Sequence, residues 1–176
     1  MALILPIRGI QPQYGTGCFF SETATIIGDV ILGDHCSIWF NAVVRGDVNS
    51  IRIGHHVNIQ DGALLHTTYK KSTITMGDNV SVGHHVIVHG ATIESHVLLG
   101  MGSIIMDHAI IGENAIIAAG AVVLEKTVVE PGSIYGGVPA RKIKSVDPEQ
   151  TRDMIERIAK DYQHYADWYR NGLMDY

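Results

Sequence analysis

Three histidines fall within nine residues, "VGHHVIVHG" at 82–90, and another, His66, stands upstream in "LLHTTYKKSTIT". Neutral imidazoles are ligands for zinc and related divalent ions, and three of them leave one position of a four-coordinate ion open to water. That chemistry needs the rings to converge. His84 and His89 are five apart, which is the period of neither a strand nor a helix. Some other regularity in the chain must position them.

That regularity is a period of six. From Met76 the chain divides into "MGDNVS", "VGHHVI", "VHGAT", "IESHVL", "LGMGSI", "IMDHAI", "IGENAI", "IAAGAV" and "VLEKTV", with "VHGAT" one residue short. The same frame runs earlier, through "IIGDVI", "LGDHCS", "IWFNAV" and "VRGDVN", then three extra residues, then "IGHHVN" and "IQDGAL". The first position is aliphatic, the second is often glycine, and the fifth is small or β-branched. Hexapeptide repeats are a β-helix signature. Each hexad is a short strand and a turn, and three hexads close one triangular coil. The aliphatic residue fills the axis, and glycine relieves backbone strain near turns. A β-sandwich would instead place turn signals every 8–12 residues.

The frame turns sequence distance into geometry. Val44, Leu65 and Val88 open hexads three apart, so Arg45, His66 and His89 form one column at about one strand spacing, ~4.8 Å. "TTYKKSTIT" loops out between the two histidines. His84 is the third residue of the preceding hexad and stacks over Asp61, on the preceding face of the prism. Within one chain it points away from the His66/His89 pair. A trimer of prisms would carry His84 of one subunit to His66 and His89 of its neighbour, an arrangement that cyclic symmetry permits without requiring. Register alone leaves these three open as ligands or as surface residues. His85 reads as a bystander, and His35, His55, His56, His96, His108 and His164 as surface residues.

The tail changes period. "DPEQTRDMIERIAKDYQHYADWY" predicts a helix, with Asp147 as N-cap, Pro148 at the first helical position and Gln150 at the capping-box position. Met154, Ile158, Tyr162, Tyr165 and Tyr169 recur at helical spacing and predict a stripe packed on the prism or on a neighbouring subunit. The expected division is a β-helix over 1–146 and a C-terminal helical segment over 147–176. A net charge of −5 over 176 residues gives no electrostatic reason for nucleic-acid binding. Two cysteines, Cys18 and Cys36, make no disulfide framework. No apolar run is long enough to span a membrane, and "MALILPIRG" does not read as a signal peptide. A cytoplasmic location is expected.

Together, "RGD" at 45–47, "NIQD" at 58–61, His66, "GH" at 83–84, "HG" at 89–90 and the closing "YGGVPARKI" resemble the gamma-class carbonic anhydrase-like family, a branch of the left-handed β-helix hexapeptide proteins. The resemblance spans roughly residues 10–170. It implies a mainly β, left-handed parallel β-helix with a C-terminal α-helix, assembled as a homotrimer. It implies a metal ion at each subunit interface, held by His66, His84 and His89: zinc, with iron(II) or cobalt(II) as alternatives. The implied reaction is reversible hydration of carbon dioxide to bicarbonate by a water activated on that ion. Arg45 and Asp47 match the family's interface ion pair. Gln60 matches the residue that hydrogen-bonds the reacting water, and Asp61 an acid beside it. Asn58 matches a further polar position, where a turn-forming role is equally open. Tyr135 either reaches the site from the top of the barrel or packs within a strand.

The chain also departs from the active archetype. "TTYKKSTIT" has no carboxylate where that form carries an acidic proton-shuttle loop, and Val48 stands where it has a glutamate. Proton-transfer groups contribute roughly 10²–10⁴-fold, so slow turnover is one expectation. Two other readings stand beside it. One is an acyl-CoA-dependent hexapeptide acyltransferase, for which "GGVPARKI" is equally fitting. The other is a non-catalytic trimeric scaffold with a structural metal.

Overall fold

The computed structural model describes residues 1–171, apart from the side chain of Gln150. It is a parallel β-helix of about seven coils, with the architecture of the left-handed β-helix fold, followed by one helix. Ile104 pairs in parallel with Val122, and Ile110 with Val128, one eighteen-residue coil apart. Each coil has three short strands and three corners. One face stacks Phe19–Phe20, Ser37–Ile38, Asn58–Ile59, Ser81–Val82, Leu98–Leu99, Ile116–Ile117 and Ser133–Gly136. The next stacks the start of Val43–Ile53 with Leu64–His66, Ile87–His89, Ile104–Ile105 and Val122–Val123. No helix among the described residues is long and apolar enough to cross a membrane.

The repeat dictates the packing. First-position aliphatics point inward: Val44, Leu65, Val88, Ile105 and Val123 are fully buried, as are fifth-position Ala63, Ala109, Ala115 and Ala121. Burying a side chain of the larger kind contributes about 1.5–3 kcal/mol, so the axis alone is a sizeable core.

Glycine relieves corner strain at the fourth position of the hexad, where Gly62, Gly102, Gly120 and Gly132 have positive φ, but not at the second. The left-handed backbone falls on the fourth position of the hexad, at His35, Asn41, His56, Asn79, His85, His96, His108, Asn114 and Lys126. Most of the surplus histidines are therefore corner residues. His96 is less exposed than expected, lying against Glu113 and Glu156. Second-position glycines serve close approach instead. A Cβ on Gly112 would lie 2.7 Å from Pro131 N and 2.8 Å from Val129 O of the next coil.

The helix α1 runs over Pro148–Asn171. Asp147 Oδ1 accepts the Glu149 N–H at 2.9 Å, which is an N-cap contact. The capping-box role expected of Gln150 lies outside the described residues. The buried stripe is not the expected one. Thr151, Ile155, Ala159 and Ala166 are buried, whereas Tyr165 and Tyr169 remain 37% and 58% exposed. Small side chains let the backbone of α1 approach the prism, which a search weighted to large residues overlooks. Tyr162 and Tyr169 still touch the Trp39 ring, edge-on at 5.3 and 5.8 Å between centroids.

The two glycine roles predict opposite signs. Gly112→Ala should lower stability by about 1–3 kcal/mol through overpacking. Lys126→Gly should raise it by up to about 1 kcal/mol, because the left-handed penalty on an L-residue exceeds glycine's entropic cost. Urea unfolding of both variants checks this; equal destabilisation would contradict the assignment.

Candidate metal centre

The hexad register places the histidines as counted. Val44 pairs with Leu65, and His66 pairs directly with His89, so Arg45, His66 and His89 follow one another along one column. His66 Nδ1 and His89 Nε2 are 3.3 Å apart. Across the corner, Ser81–Val82 pairs with Asn58–Ile59, which sets His84 over Asp61, and His84 Nδ1 lies 3.0 Å from Asp61 Oδ2. His85 is the left-handed corner residue between the two faces, its ring over Gly62. Among the described residues, no three histidine, cysteine or acidic side chains of one chain form a metal-binding group.

Each of the three histidines carries one carboxylate on one ring nitrogen. His66 Nε2 lies 3.2 Å from Asp47 Oδ1, and His89 Nδ1 lies 2.9 Å from Asp107 Oδ2. Burial works against ionisation of Asp47, but the hydrogen bond and charge of Arg45, then His66, hold it below its ordinary value. Asp107 is likewise lowered despite burial, by hydrogen bonds from Ser72, His89 and Thr68. An ionised carboxylate only accepts. The protons of the neutral rings therefore belong on His66 Nε2, His89 Nδ1 and His84 Nδ1. The facing nitrogens of His66 and His89 then both present lone pairs. Protonating His66 would relieve this, yet burial and then the Arg45 charge push His66 down, outweighing Asp47.

A cation fits that gap. Two imidazole nitrogens on one tetrahedral zinc at ~2.0–2.1 Å stand roughly 3.3–3.4 Å apart. The observed separation is 3.3 Å. The donor set thus suits a divalent ion with nitrogen preference, and one chain brings two such nitrogens to one point.

The other predicted residues divide. Arg45 Nη1 and Asp47 Oδ2 form an ion pair at 2.7 Å inside one chain. Asp47 reaches His66 because the three extra residues fall earlier than expected. Gly28 pairs with Gly46 and Val30 with Ile51, so the bulge is 47–50. Asn58 is in a strand, not a turn, and 1% exposed. It donates to Ser81 Oγ at 2.8 Å and accepts from Gln60 Nε2 at 2.9 Å. This leaves the Gln60 carbonyl oxygen as a free acceptor beside the corner. Tyr135 does not join the site of its own chain. It is 8% exposed in the core, four coils beyond Ile59 in the same column, roughly 19 Å along the axis at one strand spacing per coil.

One contributor was missed by sequence reasoning, Asp107. Its only sequence signal is that the hexad of Ile105 lies one coil beyond that of Val88. On α1, burial, then the Asp61 charge, push the Tyr162 phenol up to about 12. A groove of about 650 Å³ lies elsewhere, between α1 and His35 and His56.

The chain as a whole has counterparts among known proteins. The chain is 41% identical over 168 residues to a carbonic anhydrase from Geobacillus kaustophilus, covering 96% of this chain and 91% of that protein. It belongs to the gamma carbonic anhydrase-like family of hexapeptide-repeat proteins. Within that family it is 49% identical over 140 residues to a protein named probable carbonic anhydrase from Methanocaldococcus jannaschii, covering 80% of this chain and 87% of that one. The crystal structure of a hexapeptide transferase family protein from Anaplasma phagocytophilum superposes with a TM-score of 0.89 at 33% identity, covering 95% of this chain and 98% of that one. A family model described as dynactin subunit 5 matches residues 16–169, most of the prism and of α1, so the chain belongs to that family of repeats as well.

The Asn58 network predicts a stability cost. Asn58→Ala strands the Gln60 amide and the Ser81 hydroxyl in a buried place, which should cost about 1–3 kcal/mol. Denaturant unfolding reads it. A loss under ~0.5 kcal/mol would mean the network is not closed as drawn.

Proposed function

We propose that the protein is a metal-dependent carbonic anhydrase that works as a homotrimer, with His66 and His89 of one subunit and His84 of its neighbour around each ion. The observation that carries this reading is the pair of carboxylate-anchored imidazoles with facing lone pairs 3.3 Å apart. Zinc, iron(II) and cobalt(II) all suit three histidines. The same face supports assembly. Val43, Leu64, Ile87, Ile104 and Val122 alternate with the buried core residues, so they point outward and are only partly covered. Beside them Met106 and Leu124 are 38% and 44% exposed. A contiguous aliphatic strip beside two incomplete ligands suits a second copy of the chain.

A bound ion would supply Lewis acidity, the property by which zinc in carbonic anhydrases brings the pKa of water to about 7. The chain's own residues do the rest. Asp47 and Asp61 fix which ring nitrogen of His66 and of His84 is free. The Gln60 side chain, anchored through its NH₂ on Asn58, has its carbonyl oxygen free to accept a hydrogen bond from a water and turn that water's lone pair toward carbon dioxide. Arg45 neutralises Asp47 at the edge that meets the neighbour. Proton export is the weak step: the loop after His66 offers hydroxyls and lysines but no carboxylate, and the missing groups contribute roughly 10²–10⁴-fold. Turnover slower than in the acidic-loop forms is the expectation.

Anaerobically purified trimer should carry about one ion per interface and hydrate carbon dioxide, and His89→Ala should lose both. Mixing separately inactive His84→Ala and His89→Ala chains tests the partition. Each hybrid trimer then regains about one complete interface, because one neighbouring pair supplies all three histidines. A fully loaded trimer without hydration would sink the reaction; no recovery on mixing would sink the shared site. The transferase name of the similar crystal structure keeps one other reading in view. An acyltransferase would bind acyl-CoA and keep its activity after chelation.

A further inference from the structure

The carboxylate behind His89 has no assigned role, yet it is the most connected side chain near the site. Asp107 Oδ2 faces His89 Nδ1 at 2.9 Å. Asp107 Oδ1 takes the Thr68 hydroxyl at 3.2 Å and the Ser72 hydroxyl in a short hydrogen bond. Ser72 Oγ in turn accepts the Thr68 N–H at 3.0 Å, so its own proton is free to go to Asp107. Asn49 Nδ2 donates to the Ser72 carbonyl at 2.8 Å and ties the far side of the same loop to the bulge at 47–50. Every group that meets the carboxylate is a donor or is made one by its neighbour. This direction of hydrogen bonding leaves Asp107 no proton to give, and it puts the proton of His89 on Nδ1. Space for the arrangement comes from Gly90. A Cβ there would lie 2.1 Å from Ser72 Oγ and 2.2 Å from Asp107 Oδ1.

We propose that Asp107 is the positioning residue of His89. It holds the imidazole as the Nδ1–H tautomer, with Nε2 turned to the point shared with His66, while the Thr68 and Ser72 hydroxyls fix the carboxylate by fastening loop 67–72 to the coil of Asp107. The metal part of its consequence rests on the reading above; the tautomer does not. A carboxylate is required rather than an amide. Asn at this position must turn an NH₂ either toward the His89 Nδ1–H or toward hydroxyls that are already donating, so one contact is lost in either orientation. Partners of this kind hold ligand rings in many metal sites, and their loss typically weakens metal binding about 10–100-fold.

The test uses the full-length protein with two readouts. Imidazole ¹⁵N spectra should show His89 as the Nδ1–H tautomer in the wild type and as Nε2–H or a mixture in Asp107→Asn. Zinc affinity, measured by chelator competition, should fall about 10–100-fold in Asp107→Asn, with the thermal midpoint without added zinc nearly kept. If Asp107→Asn does not fold, Ser72→Ala should move both readouts the same way by less, since it removes one of the donors that fix the carboxylate. Wild-type tautomer and affinity in these variants would overturn the proposal, even with zinc bound and lost in His89→Ala. A wild type that binds no zinc but shows the Asp107-dependent tautomer would overturn the metal reading and leave the positioning role standing.

Discussion

Parallel pairing of each coil onto the one before it is the constraint from which the rest follows. Peptide hydrogen bonds between equivalent positions force like onto like. Each hexad position becomes a column, and each column can hold only one kind of solution. Aliphatics fill the axis, left-handed residues turn the corners, and glycines stand where backbones come closest. His66 and His89 are separated by a loop in sequence and are direct partners in the ladder. Neither needs a local motif to find the other. The ~4.8 Å repeat of the backbone brings them within reach of one point.

The breaks in the period gather where the chemistry is. A bulge at 47–50 brings Asp47 to His66 and Asn49 to the neighbouring loop. The loop after His66 brings Thr68 and Ser72 to Asp107. The shortened unit at 88–92 contains Gly90, over which that network passes. A strict repeat offers each histidine only the residues of its own column. Insertions and a deletion are how a monotonous scaffold supplies unlike groups at one place, here the carboxylates that fix which nitrogen of His66 and of His89 is free.

Much of this was legible because the frame is rigid. The column of Arg45, His66 and His89 and the stacking of His84 on Asp61 followed from counting hexads. Counting failed where side-chain size or backbone approach decided. The stripe of α1 was counted without Thr151, Ile155, Ala159 and Ala166, whose side chains are buried on the prism beside Tyr162 and Tyr169. Second-position glycine was assigned to turn strain, although the strained corner is two residues later and is often a histidine. Asp107 was passed over because it lies one coil beyond His89, offset by the short hexad.

By itself the sequence determined the coil, the register of the regular hexads and which face His66, His84 and His89 occupy, since a six-residue period with a buried aliphatic stacks equivalent positions. The tertiary structure decided what surrounds the rings. It placed Tyr135 in the core, coils away from the histidines, and buried Asn58 beneath α1's face of the prism. It also gave His66 and His89 their carboxylates. Those outcomes depend on where a bulge bends and how a loop folds back. Such contacts are made across coils through space, and no spacing along the chain encodes them.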